Sequence, residues 1–131
     1  MTLKHSLTET VQRIYEGIIM KVSELLNKLD LKLLTDSDFE DRETSGCYIG
    51  DLLSWVMSHA ESGNVWITIM NNINITAVAS LCDVACVILA EGVDLPEAIR
   101  ERANSTGIII LGSSESAYEI AGKIYCEENR C

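Results

Sequence analysis

The sequence of 131 residues contains one proline, one phenylalanine and two histidines, His5 and His59. A lone proline excludes a proline-rich linker or recognition segment, and two distant histidines give no imidazole cluster for a metal. Basic runs are also lacking, because the lysines and arginines stand singly from Lys4 to Arg130 and the formal net charge is -10. Such a field repels phosphate backbones and anionic lipid heads, so neither nucleic acid nor a membrane surface is an expected partner. No hydrophobic run approaches the roughly 20 residues that span a bilayer. The first twenty residues are broken by Glu9, Arg13 and Glu16 and do not form a secretion signal. A cytoplasmic protein is therefore expected, and the sequons at Asn74-Ile75-Thr76 and Asn104-Ser105-Thr106 are chance matches.

The motifs of phosphate and acyl chemistry are missing too. There is no G-x-x-x-x-G-K-S/T loop, no G-x-G-x-x-G and no G-x-S-x-G elbow. Gly112-Ser113-Ser114-Glu115-Ser116 has the composition of a phosphate-binding turn without its lysine. Five cysteines, at 47, 82, 86, 126 and 131, form neither an even framework nor a C-x-x-C pair. Reduced thiols and no metal site are expected, with Cys82 and Cys86 acting as small buried hydrophobes and Cys126 and Cys131 as oxidisable tail residues.

What remains is a chain with 47% hydrophobic residues and the length of one domain. Leu3, Leu7, Val11, Ile14 and Ile18 fall at steps of four and three, which predicts an amphipathic helix opened by Ser6-Leu7-Thr8-Glu9 or earlier. Residues 1–19 read as an extension, which is optional, a dimerising arm or the product of an upstream start; residues 20–127 read as the domain and 128–131 as a tail. Within the domain, short helical and strand patterns alternate, with strands expected at Leu31 to Leu34, Tyr48-Ile49, Val65 to Ile69, Ala85 to Leu89 and Ile108 to Leu111. Helices are expected from Met20, over Asp51 to Ala60 with Leu52, Leu53, Val56 and Met57 on one face, over Asn74 to Leu81, over Asp94 to Asn104, and over Ser114 to Glu127. Near-continuous apolar strands such as Ala85 to Leu89 belong to a sheet covered on both faces, so the expected fold is α/β with a mostly parallel sheet between helices.

In such folds a ligand lies beyond the carboxyl ends of the strands. The residues there are polar: Asp51 and Ser54, Asn71, Asn72 and Asn74, Glu91 and Gly92, and Ser113 and Ser114. Asn74 and Ser113 or Ser114 are expected to cap helices as well, which aims backbone amides at the crevice. Trp66 reads as a core residue and Trp55 as a subunit contact. His59 has no serine or cysteine at a motif spacing, so no nucleophilic dyad is supported.

Asp41-Arg42-Glu43-Thr44-Ser45-Gly46, running into Cys47 to Met57, together with Gly63 to Ile69 and Asn74 to Leu81, resembles a DRTGG domain from about residue 20 to 127. Cys47 replaces the family's second glycine, and Asn71-Asn72 stands where Thr-His is common. A local ion pair between Asp41 and Arg42, holding the loop with Gly46, is expected, and the resemblance implies Asp51, Thr68 and Asn74 as the matching positions for a ligand or partner. The resemblance implies a regulatory module, similar to the N-terminal domain of HPr serine kinase/phosphorylase but without the kinase half, that binds a nucleotide or metabolite or docks to a redox enzyme such as a hydrogenase, as a homodimer and without a cofactor. Two alternatives stay open: an enzyme using Asp51 or Glu91 as general base with Asn74 orienting the substrate, and a thiol redox sensor.

Overall fold

The computed structural model describes residues 19–129 and 131. The helix predicted for the first eighteen residues lies outside these. The described chain runs α1 (Val22–Lys28), β1 (Lys32–Leu33), β2 (Cys47–Ile49), α2 (Leu53–His59), β3 (Val65–Thr68), α3 (Asn74–Cys82), β4 (Cys86–Leu89), α4 (Glu97–Thr106), β5 (Ile110–Gly112) and α5 (Ala117–Asn129). The five strands form one sheet in the order β1-β5-β4-β3-β2. Strands β2 to β5 are parallel, and β1 pairs antiparallel with β5 through Lys32 opposite Gly112. This is the α/β fold with a mostly parallel sheet that the alternating patterns predict.

The parallel strands are laid down in one direction, from β2 to β5. Right-handed crossovers then place all three connecting helices on the same face. Val56 of α2, Ile75 and Ala79 of α3, and Ile99 and Ala103 of α4 accordingly share a buried cluster with Trp66, Val87, Leu89 and Ile110. The opposite face is left to α1 and α5, whose Val22, Leu25, Ile120 and Ile124 pack with Val65, Ile67, Ile88 and Leu111. Both β3 and β4 are buried at every position, which is why they read as unbroken apolar runs. Trp66 is fully buried as expected, and its indole N–H reaches the Gly50 carbonyl at 2.9 Å.

Several local expectations are corrected. On α2, Val56 is buried and Leu53 half-buried, but Leu52 and Met57 are exposed, because the helix starts only at Leu53 and leans on the sheet through a single turn. Asn74 does not cap α3; its N–H donates to Asn72 Oδ1 at 2.9 Å, so the cap comes from two residues earlier. Neither Ser113 nor Ser114 caps α5. That role belongs to Ser116, whose hydroxyl accepts the Glu119 N–H at 3.2 Å while Glu119 reaches back to the Ser116 N–H at 3.4 Å.

Asp41 and Arg42 do not pair with each other. Asp41 accepts the Ser23 N–H and hydroxyl at 2.9 and 2.6 Å, capping α1 from a distant loop, and these bonds hold its carboxyl below the ordinary range. Arg42 points to the end of α3, where it meets Asp83 at 2.9 Å and the Val84 carbonyl at 3.1 Å. Gly46 has φ of 72°, in the left-handed region that suits glycine, and lies where the motif loop turns into β2. Cys126 and Cys131, expected as free thiols, are joined in a disulfide with Cα atoms 4.8 Å apart, while Cys47, Cys82 and Cys86 are free.

Candidate functional site

The chain leaves β4 toward α4 on one face of the sheet and leaves β5 toward α5 on the other. Two neighbouring loops that diverge in this way open a crevice at the strand ends. It forms a cavity of about 840 Å3, walled by Gly92, Val93 and Asp94 after β4 and by Gly112, Ser113 and Ser114 after β5. The antiparallel β1 closes its side, bringing Lys32 next to Gly112. Arg100 from α4 and Lys123 from α5 complete a set of three cations around a single opening.

Acidic groups stand among them. Lys123 meets Glu115 at 2.6 Å, Arg100 meets Glu97 at 3.1 Å and also donates to the Leu34 carbonyl, and Asp30 and Asp94 line the wall. The throat is tied by backbone bonds at 2.8 Å from Glu91 N–H to the Glu115 carbonyl and from Gly92 N–H to the Ser113 carbonyl. Asp30 and Glu91 have φ of 52° and 60°, left-handed values that cost a side-chain-bearing residue about 1–2 kcal/mol.

Of the residues singled out in the sequence, Gly92, Ser113 and Ser114 line this cavity, and the others are used elsewhere. Asp51 Oδ1 accepts the Thr68 hydroxyl at 2.8 Å and the Ile69 N–H at 3.0 Å, and the same hydroxyl accepts the Met70 N–H at 3.1 Å. Asn71 donates to the Asp94 carbonyl at 2.9 Å, holding the β3 and β4 loops together, and Asn72 caps α3. Asn74, Ser54 and Glu91 are exposed outside the cavity. Asp41, Arg42 and Gly46 lie at the opposite end of the sheet, where they position β2 and α1. Sequence reasoning missed Lys32, Arg100 and Lys123. Their only signal is that three of few cations fall on elements neighbouring the β5 end, and seeing it needs the strand order.

No activated nucleophile is found among the described residues. Burial pushes the Cys47 and Cys86 thiols up to about 12 and raises Cys82, so thiolates are scarce near neutrality. Contrary to the reading from spacing, His59 does have a serine neighbour, with Ser58 Oγ 2.9 Å from its Nδ1. That nitrogen is equally 2.9 Å from the Trp55 carbonyl, a contact that requires it to carry the proton, and a protonated Nδ1 is no base for Ser58. Among the described residues no group of three or more His, Cys, Asp or Glu could hold a metal ion, and no helix is long and apolar enough to cross a membrane.

The family model of the DRTGG domain matches residues 24–125. The chain belongs to the DRTGG domain family. A DRTGG-containing structure has the same fold: the CBS and DRTGG domains of the regulatory region of Clostridium perfringens pyrophosphatase, complexed with its activator diadenosine tetraphosphate. The identity is 13% and the TM-score 0.66, and the match covers 86% of this chain and 49% of that one. No curated protein matches the chain.

Proposed function

We propose that this DRTGG domain is a non-catalytic regulatory module whose crevice between the β4 and β5 loops binds a small anionic ligand, a nucleotide or a comparable metabolite. The observation that carries this is the gathering of Lys32, Arg100 and Lys123, three of the ten basic residues of a chain with net charge -10, around one strand-end cavity. Ser113 and Ser114 add hydroxyl groups of the kind that hold phosphate oxygens. Asp30 and Asp94 offer acceptors for ribose hydroxyls or an amino group, which favours a ligand of mixed character over bare phosphate. The regulatory role is supported by family membership, and the similar pyrophosphatase region binds a dinucleotide activator, in a chain that also carries CBS domains.

Isothermal titration with mono- and dinucleotides and with inorganic phosphate tests the reading. Micromolar binding of a nucleotide that weakens in Lys32→Ala is expected. No heat with any of them, or binding indifferent to that substitution, refutes it.

An apolar patch favours a second element of the same reading, self-association. Leu52 and Trp55, three residues apart at the start of α2, are 66% and 57% exposed. A homodimer through this patch is expected, and sedimentation of Trp55→Ser as a monomer against a dimeric parent checks it. The family resemblance extends the partner class to redox enzymes such as hydrogenases, which a direct binding measurement with a purified enzyme would decide.

A further inference from the structure

The five cysteines fall into two groups of opposite character. Cys82 and Cys86 are buried, and burial lifts the half-buried Cys47 as well as Cys86 to about 12, so these free thiols stay protonated near neutrality. Cys126 and Cys131 are both exposed and are joined to each other. Exposure is what leaves a disulfide open to exchange while the protein remains folded.

The bond folds the end of the chain back onto the last turn of α5, where the Cys131 N–H also reaches the Cys126 carbonyl at 3.1 Å. That turn is weak by itself. Glu127 and Glu128 sit at the negative end of the helix dipole, and no basic residue within the turn offsets them. Yet the turn holds two other parts of the molecule. Glu127 Oε2 accepts from Lys28 Nζ of α1 at 3.3 Å, and the Glu128 carboxyl faces the Gly46 N–H in the loop that leads into β2. The disulfide joins residues only five positions apart, and so short a link restrains the unfolded chain little. Neither cysteine belongs to the two buried clusters, so opening the bond spares the core and acts on the turn alone.

We propose that Cys126 and Cys131 form a redox site at which a dithiol reductant opens, and a disulfide oxidant recloses, a clasp on the last turn of α5. A thiolate of the dithiol attacks one sulfur of the pair, the S–S bond breaks, and the other cysteine leaves as a thiolate that takes up a proton. The second thiol of the reductant gives up its proton and attacks the mixed disulfide, which expels the remaining cysteine, in turn protonated, and releases the reductant as a cyclic disulfide. Two electrons and two protons thus pass to the protein, and the reverse sequence restores the clasp. With the clasp open, the turn frays and its ties to Lys28 and Gly46 loosen. The site is separate from the ligand reading, because neither cysteine lines the strand-end cavity.

The test treats the folded full chain with oxidised glutathione or with reduced dithiothreitol, then denatures it in N-ethylmaleimide and maps the alkylated cysteines by mass spectrometry. Three are expected after the oxidant and five after the reductant, the difference lying at Cys126 and Cys131. Hydrogen exchange of the folded protein should become about ten-fold faster on reduction in peptides covering residues 127–129 and Gly46, and stay unchanged over β3 and β4. Cys131→Ser should exchange at the reduced rate in both conditions. Five alkylated cysteines after the oxidant would overturn the proposal, as would a disulfide that opens only when the chain is unfolded in urea. Exchange of the last turn that ignores the state of the pair, or that still responds to the reductant in Cys131→Ser, would overturn it equally.

Discussion

The two halves of the strand-end rim use similar residue types in opposite ways. At the β2 and β3 ends, Asp51, Thr68 and the Ile69 and Met70 amides satisfy one another within a closed set of hydrogen bonds. At the β4, β5 and β1 ends, the loops part to opposite faces, and Ser114, Lys32 and Gly92 border open space. Polar side chains at the carboxyl ends of parallel strands thus serve the backbone where consecutive crossovers stay on one face. They border a ligand-sized cavity where the crossovers change face.

Thr68→Val separates the two halves most strongly. It leaves the buried end of β3 without its hydroxyl and the Met70 N–H without a partner, which should destabilise the fold by about 1–3 kcal/mol in urea denaturation. Nucleotide affinity of the folded fraction should stay unchanged. The double substitution Lys32→Ala with Ser114→Ala should do the reverse, weakening nucleotide binding about ten-fold, or roughly 1.4 kcal/mol, with stability altered by less than about 0.5 kcal/mol. If the first variant loses affinity at constant fold, or the second loses stability, the division of the rim is wrong.

A smaller effect is expected at the far end of the sheet. Asp41→Ala removes the cap of α1 and should cost about 1 kcal/mol without touching either half of the rim. The Asp41 and Asp83 carboxyls are held below the ordinary 3.8, by the Ser23 bonds and by Ser62 with Arg42, and Glu119 below 4.5 by its bonds to Ser116. Groups with lowered values add stability above their unfolded values and lose it as pH falls through the folded ones. Midpoints measured between pH 6 and pH 3 should therefore drop below about pH 4.5, and less steeply in Asp41→Ala. The smallest change is predicted for Glu91→Gly, where relief of the left-handed backbone outweighs the added freedom of the unfolded chain by about 0.5–1 kcal/mol. A loss of stability there would mean that the Glu91 side chain holds the throat.

Much of the fold was readable because burial on both faces leaves its mark on each strand alone. Val65 to Thr68 and Cys86 to Leu89 are apolar or threonine throughout, and the three crossover helices show their inward residues at helical spacing. What escaped depends on contacts far apart in the chain. The partnership of Asp41 with Ser23 spans 18 residues and that of Arg42 with Asp83 spans 41, whereas adjacency suggested a pair between the two. The cations of the cavity come from β1, α4 and α5, and only the register of Lys32 against Gly112 places them together. Caps were misplaced by two or three residues, because Asn72, Asn74, Ser113, Ser114 and Ser116 all have the chemistry and only the backbone path selects among them.

The pairing of β1 with β5 has a consequence for biosynthesis. The ribosome delivers β1 before the other four, yet its neighbour in the sheet among the described residues, 110–112, follows some eighty positions later. Until then the nascent β1 has no ladder to join, while β2, β3 and β4 can assemble sequentially as each appears. Of these five strands β1 is thus made first and seated last, and the wall it contributes around Lys32 comes into being only once β5 has emerged.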